Sequence, residues 1–255
     1  MSIKHKFYSK DFKDGFLTQN GILKSIRYDP EVMFIGTFNH GDSDAPGHLP
    51  FLNNHADFFY GRNYFWPVWY NIVLHLGNFY TQPRQNYDPP LSYNSGVFTG
   101  ILKFCEIAKF SFADLIATLF PINNTYSIFQ NKIAFLGQTF DPMKDNDLIA
   151  LSNLNQVIWN DNSIVQYLNA TPSIRTVYLT RQPNNFGFLW NSIRLRVNNP
   201  AIRFRVLFPP SKSSGQPAGI PKGQYIADQW LGHYAGNGYD NLDLNWYNNL
   251  INSLV

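Results

Sequence analysis

Three segments of the chain place amide, histidine, serine and aromatic side chains at or just beyond the ends of apolar runs. They are residues 34–41 (FIGTFNHG), 59–69 (FYGRNYFWPVW) and 206–215 (VLFPPSKSSG). A side-chain amide carries a donor and an acceptor on one group, and an aromatic ring offers a flat face for stacking. These properties suit ligands with planar rings and amide edges, such as bases or sugars. A general enrichment in Asn and in aromatic residues, which form 17% of the chain, accounts for the same composition equally well.

The basic residues are distributed unevenly along the chain. Residues 162–227 contain no Asp or Glu but eight basic side chains: Arg175, Arg181, Arg194, Arg196, Arg203, Arg205, Lys212 and Lys222. Because the chain has 20 basic and 17 acidic residues in total, the remainder holds 12 basic against 17 acidic ones. A one-sided cationic field attracts polyanions such as nucleic acids. The alternative is a solvated basic face that has no partner.

Apolar periodicity predicts the elements that position these residues. Short apolar runs predict buried strands over 32–37, 175–180 and 203–208. Helical spacing predicts helices over 65–76, 95–108, 147–158, 162–168, 186–197 and 244–254. Strands that alternate with helices favour an α/β fold with a mostly parallel sheet, in which ligands bind beyond the carboxyl ends of the strands. The loops that begin at Thr37, Thr180 and Phe208 should therefore converge, within a single domain that spans residues 1–255.

In order, spacing and composition, the three segments resemble the uracil-DNA glycosylase superfamily, and most closely its mismatch-specific and hypoxanthine-DNA glycosylase branches. Those proteins carry a first motif at the end of a strand, an N-x-F-W segment that opens the next helix, and a second motif rich in Pro and Ser. Here the N-x-F-W segment is literal, at residues 63–66, and residues 110–116 (FSFADLI) resemble the intermediate stretch of the family, with Asp114 in the acidic place. The resemblance covers most of residues 32–215. It implies a three-layer α/β/α sandwich with a central, mostly parallel four-stranded sheet.

The resemblance further implies a monofunctional DNA glycosylase of base-excision repair, a hydrolase that uses no metal or cofactor. Such an enzyme flips a nucleotide out of the stack, reads the Watson–Crick edge of the base and stacks on its face. Cleavage of the N-glycosidic bond builds positive charge on the sugar and negative charge on the base, so the pocket needs donors for the base oxygen and a polar group that places water. Asn63 and the backbone N–H groups of residues 36–38 are expected to supply both. The residues expected to bind the base are Gly36, Thr37, Phe38, Tyr64 and Phe65.

The chain departs from the family pattern in two places. Phe38 stands where the first motif usually has Asn or Asp, and Asn39 replaces the Pro that follows it. The second motif reads PPS at residues 209–211, without the His or Asn that often opens it. Efficient excision of uracil is therefore not expected. The hypoxanthine branch also has Phe at the first position, so the resemblance assigns the catalytic role to Asn63, with Asn39 or His40 as compensating groups.

The DNA partner, which would contain a damaged or mismatched base, is expected to meet the loop after the last strand. The residues expected to contact it are Ser211, Lys212, Ser213, Ser214, Arg181 and Ile220. The serines and the lysine suit phosphate contacts on either side of a flipped nucleotide. Ile220 is the candidate for the apolar wedge that relatives insert into the duplex. We expect the protein to act as a monomer.

Several of these residues have simpler structural interpretations. Asn63 is also a favourable helix cap, and Asp114 is left out of the catalytic set because it suits a helix start. Trp66 and Trp69 are expected in the core. A second hypothesis is therefore a nucleic-acid-binding protein that keeps the fold and the basic groove but has lost catalysis, with a pocket filled by Phe38 or Tyr64.

Other chemistries have less support. His40, Asp42, Asp44, His48, His55 and Asp57 are potential metal ligands. Their spacing fits no metal motif that we recognise, and a polar loop beside the base pocket explains them as well. Cys105 is the only cysteine, so an internal disulfide or a cysteine-based zinc site is excluded. No apolar stretch approaches the roughly 18 residues of a membrane span, and residues 1–14 lack an apolar signal core. We therefore expect a cytoplasmic protein.

Overall fold

The computed structural model describes residues 2–12, 14–41, 57–61, 63–74, 96–120, 125–129, 131–211, 214–234 and 237–254. The strands within these ranges are β1 (Ile3–Lys4), β2 (Ser9–Asp11), β3 (Phe16–Gln19), β4 (Ile22–Ser25), β5 (Val32–Gly36), β6 (Phe110–Asp114), β7 (Ile116–Leu119), β8 (Ser127–Phe129), β9 (Lys132–Phe135), β10 (Gln138–Phe140), β11 (Val157–Trp159), β12 (Thr176–Leu179) and β13 (Arg203–Val206). The helices are α1 (Phe65–Leu74), α2 (Gly96–Ala108), α3 (Asp145–Asn153), α4 (Asp161–Ala170), α5 (Gly187–Arg196), α6 (Lys222–Trp230) and α7 (Leu244–Leu254).

The centre of the molecule is a four-stranded sheet in the order β13-β12-β5-β6, and all of its strand pairs are parallel. The three predicted strands form β5, β12 and β13, and the FSFAD run of residues 110–114 forms β6. β5, β6 and β12 are buried along their whole length, as expected for a sheet that is covered on both faces. The expected α/β sandwich with a central parallel four-stranded sheet is confirmed.

Alternation along β5 separates two hydrophobic cores. Phe34 points into an aromatic cluster that α1, α2, α6 and α7 cover. Met33 and Ile35 point to the opposite face, where they pack with side chains of α4 and α5. The two faces arise because successive side chains of a strand alternate between the two sides of the sheet. This arrangement produces the three layers.

Three small antiparallel sheets, in the orders β1-β7-β11, β2-β3-β4 and β10-β9-β8, surround the parallel one. They were not predicted, because their strands have only two to four residues. The helix predicted over 147–158 is wrong in its second half: α3 ends at Asn153, and β11 pairs with β7. Asn155 takes a left-handed backbone angle of φ 58° between the two elements. The β-branched and aromatic residues of β11 then favour a strand.

The other predicted helices agree with the structure to within one or two residues where it describes them. α4, α5 and α7 correspond to the predictions over 162–168, 186–197 and 244–254. The predicted ends at residues 75–76 and at residue 95 lie outside the described residues. Helix α6 was not predicted, because its sequence follows a Gly- and Pro-rich loop.

Phe34 is the residue through which this fold is most readily tested. Its ring is fully buried, and it stacks on Tyr178 at a centroid distance of 5.1 Å and on Phe112 at 5.9 Å. We expect Phe34→Ala to lower the free energy of unfolding by about 3–5 kcal/mol, because it leaves a cavity between the sheet and α1. Phe129→Ala, which removes a ring that is 65% exposed, is the matched control and should cost less than about 1 kcal/mol. Urea denaturation of both variants measures the difference, and equal losses would contradict this account of the core.

Candidate functional site

The order of the parallel strands defines where a ligand site is expected. The chain runs from β5 to its neighbour β6 and then crosses to β12 on the other side of β5, so the direction of strand addition reverses between β5 and β12. Crevices at such a reversal, beyond the carboxyl ends of the strands, are the usual ligand sites of open α/β sheets. Gly36 ends β5 at this edge, Thr37 follows it, and Thr180 follows β12.

Asp114 is the central polar residue of this carboxyl edge. It ends β6, and although it carries a carboxylate it is only 2% exposed. Its Oδ2 atom lies 2.7 Å from Nε2 of His5 and accepts a 2.6 Å hydrogen bond from Nδ2 of Asn39. The Nδ1 atom of His5 accepts a hydrogen bond from the backbone N–H of Phe7, so the ring proton lies on Nε2 and is donated to Asp114. Two donors therefore compensate the buried carboxylate.

Gly36 makes room for this carboxylate. A Cβ atom at position 36 would lie less than 3.0 Å from Oδ1 of Asp114, which real Cβ atoms essentially never do. The two residues are direct partners in the parallel register of β5 and β6. Gly36 was expected to offer a backbone donor to a base. Its observed role is to let a side chain of the next strand approach the backbone of β5.

Tyr60 closes the same edge from the loop before α1. Its hydroxyl lies 2.8 Å from Oγ1 of Thr180, which itself donates to the backbone carbonyl of Ile35, so Tyr60 is the donor of this pair. Burial, together with the nearby charge of Asp114, raises the pKa of Tyr60 well above its usual value and keeps the hydroxyl protonated. The backbone of Tyr60 is left-handed, with φ 56°. A strained angle at a bulky residue is a feature that clusters at functional sites.

Asn63 uses its side chain for a turn at the start of α1. Its Oδ1 atom accepts a 2.9 Å hydrogen bond from the backbone N–H of Phe65, which is the cap interaction that was the alternative to a catalytic role. The neighbouring Tyr64 donates its backbone N–H to the carbonyl of Pro210 at 2.9 Å. The N-x-F-W segment and the second motif are thus in direct contact.

Phe65 does not lie where a base could stack on it. Its ring is fully buried, and Tyr60 stacks on it at a centroid distance of 4.3 Å with an interplanar angle of 17°. The expectation that Phe65 forms an open stacking platform is therefore corrected: Tyr60 already occupies that face. Tyr64 is buried as well. It contributes its backbone to the contact with Pro210 and its ring to the aromatic core.

The first-motif residues after β5 have different surroundings. Phe38 is buried, and its ring packs against those of His5 and His40 at 6.0 and 6.2 Å. His40 is buried and forms a backbone bridge with His5. Thr37 and Asn39 are only partly buried, and Asn39 is joined to Asp114. Of the three residues expected to be catalytic, Asn39 therefore contacts Asp114, His40 lies beside His5, and Asn63 lies at the start of α1.

Arg181 is not a free cation for DNA, which corrects the contact expected of it. It forms an ion pair with Asp145 at the start of α3, and its guanidinium lies over the ring of Phe186 at 4.6 Å. Burial lowers the pKa of Arg181 to about 10. These contacts fix α3 and α5 against the end of β12.

The loop after β13 was expected to contact phosphates. The backbone carbonyl of Ser211 accepts hydrogen bonds from the N–H and the hydroxyl of Ser214, so these two serines form a local turn. Lys222 is buried and donates to the carbonyl of Ser214. Ile220 is partly buried at the end of this loop. Lys212 and Ser213 lie outside the described residues.

The basic residues of 162–227 do not gather at the carboxyl edge. Arg175 and Arg203 lie at the opposite, amino-terminal edge of the sheet, and Arg203 pairs with Asp243. Arg196 binds Asp161 on the side of α5, and Arg205 binds Asn241. The continuous positive face that the sequence suggested is thus not seen among the described residues.

His5 and Tyr60 were not predicted as site residues. Asp114 was noted in the acidic place of the family stretch but left out of the catalytic set, and Thr180 was expected only as the start of a converging loop. Asp114 follows an apolar run that is buried as a strand, and a carboxylate in such a place is the signal that could have identified it. His5 lies 109 residues away in sequence and carries no local signal.

Comparison of the chain with models of protein families, with curated proteins and with solved structures found no match. Among the described residues, no group of three or more His, Cys, Asp or Glu side chains is placed to hold a metal ion. Asp42, Asp44, His48 and His55 of the metal alternative lie outside that part of the chain. None of the described helices has the length and apolar character needed to cross a membrane.

The close approach of Asp114 to the β5 backbone can be tested with glycine substitutions. We expect Gly36→Ala to lower the free energy of unfolding by about 1–3 kcal/mol, because the methyl group displaces a carboxylate that His5 and Asn39 hold. Gly100→Ala in α2 is the control, since a methyl group added there would meet no atom within 4 Å. It should raise stability by about 0.5–1 kcal/mol. If thermal and urea unfolding show Gly36→Ala to be neutral, Oδ1 of Asp114 does not lie against β5.

Proposed function

We propose that the protein is a DNA glycosylase of base-excision repair, which hydrolyses the N-glycosidic bond of a flipped deaminated base such as uracil, hypoxanthine or a mismatched base. The observation that carries this proposal is the buried Asp114 carboxylate at the carboxyl edge of the sheet, beside the first motif. Support also comes from the contact between Tyr64 and Pro210, which joins the other two motifs of the resemblance.

The chemistry assigns Asp114 rather than Asn63 to the reacting sugar. In hydrolysis, the oxygen of a water bonds to C1′ of the deoxyribose as the C1′–N bond breaks and its electron pair leaves with the base. The sugar becomes positive on the way, and a carboxylate in a site of low dielectric constant stabilises that charge. Asp114 also accepts the proton of the attacking water as a general base. Asn39 and His5 hold the carboxylate in place during these steps.

The leaving base needs hydrogen-bond donors. The side-chain nitrogen of Asn63 is one donor at this end of the sheet, and the hydroxyl of Tyr60 becomes a second one when it turns from Thr180 to the base. Negative charge that develops on a lactam oxygen is stabilised by such donors. Entry of the base requires movement of covering aromatic side chains, because Phe38 and Tyr64 are both nearly fully buried.

The second candidate function is a nucleic-acid-binding protein of the same fold without catalytic activity. The burial of Phe38 and Tyr64, together with the stacking of Tyr60 on Phe65, favours it. A pocket that these rings fill leaves no stacking face for a flipped base. The two functions differ in one measurable property, namely the release of a base.

The test of the first function is alkaline cleavage of end-labelled oligonucleotides that contain uracil, hypoxanthine or a G·T mismatch, single- and double-stranded. We expect the parent chain to cleave at least one of them and Asp114→Asn to lower the rate by about 100-fold or more, as loss of a general base does. Asp161→Asn, which removes a surface carboxylate paired with Arg196, is the control and should retain the rate.

Three other outcomes have distinct meanings. If the parent chain does not cleave but shows salt-sensitive DNA binding, the inactive binding protein is the correct interpretation. Absence of both cleavage and binding rejects the nucleic-acid partner. Equal cleavage by Asp114→Asn and the parent rejects the role of this carboxylate.

Asn63 is tested with two substitutions that separate capping from chemistry. Asn63→Asp keeps an oxygen for the N–H of Phe65, so we expect it to leave thermal stability nearly unchanged. Asn63→Ala removes the cap and should cost about 1 kcal/mol. If Asn63 donates to the leaving base, both variants lose cleavage activity. If Asn63→Asp cleaves normally, the residue is a cap only.

A further inference from the structure

A cavity of about 540 Å³ lies at the amino-terminal edge of the parallel sheet, opposite the carboxyl edge discussed above. Its walls are the beginnings of β5, β12 and β13, the end of α2 and one face of α7. Trp246, Asn249, Leu250 and Ser253 form that face, since they follow the spacing of one side of a helix. The volume falls within the range of small-molecule sites, which is about 300–1,000 Å³.

Five charged side chains line the cavity, and three of them are cationic and two anionic. Lys109 pairs with Glu31 at 2.5 Å, and Arg203 pairs with Asp243 at 3.2 Å. Both carboxylates are thus engaged, and Asp243 additionally accepts the backbone N–H groups at the start of α7. Arg175 is exposed and takes part in no ion pair with the described residues. The uncompensated positive charge of the cavity therefore lies on Arg175.

At the starts of the four parallel strands, charged residues stand side by side in a row, in the order Lys109, Glu31, Arg175 and Arg203. Backbone hydrogen bonds fix Arg175 in the middle of this row. Its N–H donates to the carbonyl of Glu31 at 2.8 Å, and its carbonyl accepts from the N–H of Arg203 at 2.8 Å. Lys109 is fixed in the same way, because its carbonyl accepts the N–H groups of Glu31 and Val32. The row crosses all four strands at a spacing of about 5 Å per strand. The backbone positions that carry the cationic side chains are therefore fixed before any ligand arrives.

Lys109 follows α2 with φ 53°, the left-handed backbone angle at which many helices end. The lysine at this position brings its ammonium group to the rim of the cavity, beside Glu31.

We propose that this cavity binds a small organic anion, in which one phosphate or carboxylate group meets Arg175 and an uncharged planar body lies along α7. The guanidinium suits either oxyanion, because its parallel N–H groups match both geometries. Asn245 and Asn249 offer donors and acceptors to the body of the ligand, and Trp246 and Ile107 offer apolar surface. The proposal does not depend on the glycosylase function, since the site lies at the other edge of the sheet.

Isothermal titration of the full chain at low salt tests the proposal with three probes: deoxyadenosine monophosphate, benzoate and inorganic phosphate. We expect at least one of the two organic anions to bind with a Kd of about 1 mM or tighter. Binding of the nucleotide alone assigns a phosphate, and binding of benzoate alone assigns a carboxylate. Inorganic phosphate, which lacks the planar body, should bind at least about tenfold more weakly than the better organic anion.

Two variants locate the binding site. Arg175→Gln should weaken binding by about tenfold or more, whereas Arg194→Gln, which changes an exposed arginine of α5, should have no effect. Asn249→Trp fills the cavity without changing its charge and should abolish binding. The proposal is overturned if neither organic anion binds with a Kd below about 1 mM, if Arg175→Gln binds like the parent chain, or if inorganic phosphate binds as tightly as the organic anions.

Discussion

The carboxylate of Asp114 is the interaction on which the carboxyl half of the molecule depends. A buried charge is tolerated only where donors surround it, and loss of one partner of such a pair typically costs about 3–5 kcal/mol. Its two donors, His5 and Asn39, come from segments 109 and 75 residues away in sequence. The N-terminal strand β1, the loop after β5 and the end of β6 must therefore assemble together. Position 36 of β5 is a glycine for the same reason, because no side chain fits between β5 and this carboxylate.

The aromatic core places a second constraint on the same edge. Phe65 and Tyr60 stack on each other, so the ring faces that could stack on a base in the proposed function are already in contact with each other. The hydroxyl of Tyr60 nevertheless remains directed at Thr180, between the ends of β5 and β12. Under the proposed glycosylase function, a base that enters must replace the stacking of Tyr60 with its own, and the stacking of a base on an aromatic ring is worth about 1–3 kcal/mol.

The sequence was sufficient for three of the four strands of the central sheet but not for β6 or for the site. Strands β5, β12 and β13 are apolar, β-branched runs between turn residues, so they could be predicted locally, and helices α5 and α7 follow from their spacing. Asn63 could be placed at the start of a helix from the sequence, and its hydrogen bond with Phe65 is that of a helix cap. His5 could not be identified as a site residue, because its hydrogen-bond partner Asp114 lies far away in the chain. Which aromatic ring covers Phe65 was equally beyond local patterns, since Phe58, Phe59 and Tyr60 are adjacent and all buried.

The distribution of charge shows why a basic segment need not form a basic surface. The segment 162–227 contains β12 and β13, and each of these strands runs from the amino-terminal edge of the sheet to the carboxyl edge. Residues at the two ends of one strand therefore lie at opposite edges. Arg175 and Arg181 flank β12, so at about 3.3 Å per residue they lie roughly 20 Å apart. At one end Asp145 neutralises the partly buried Arg181, and at the other Arg175 remains exposed in a cavity. A polyanion that bound along the sequence run would have to contact both edges of the sheet at once. The cationic charge of this segment therefore favours a small anion at the amino-terminal edge over a nucleic acid that spans the segment.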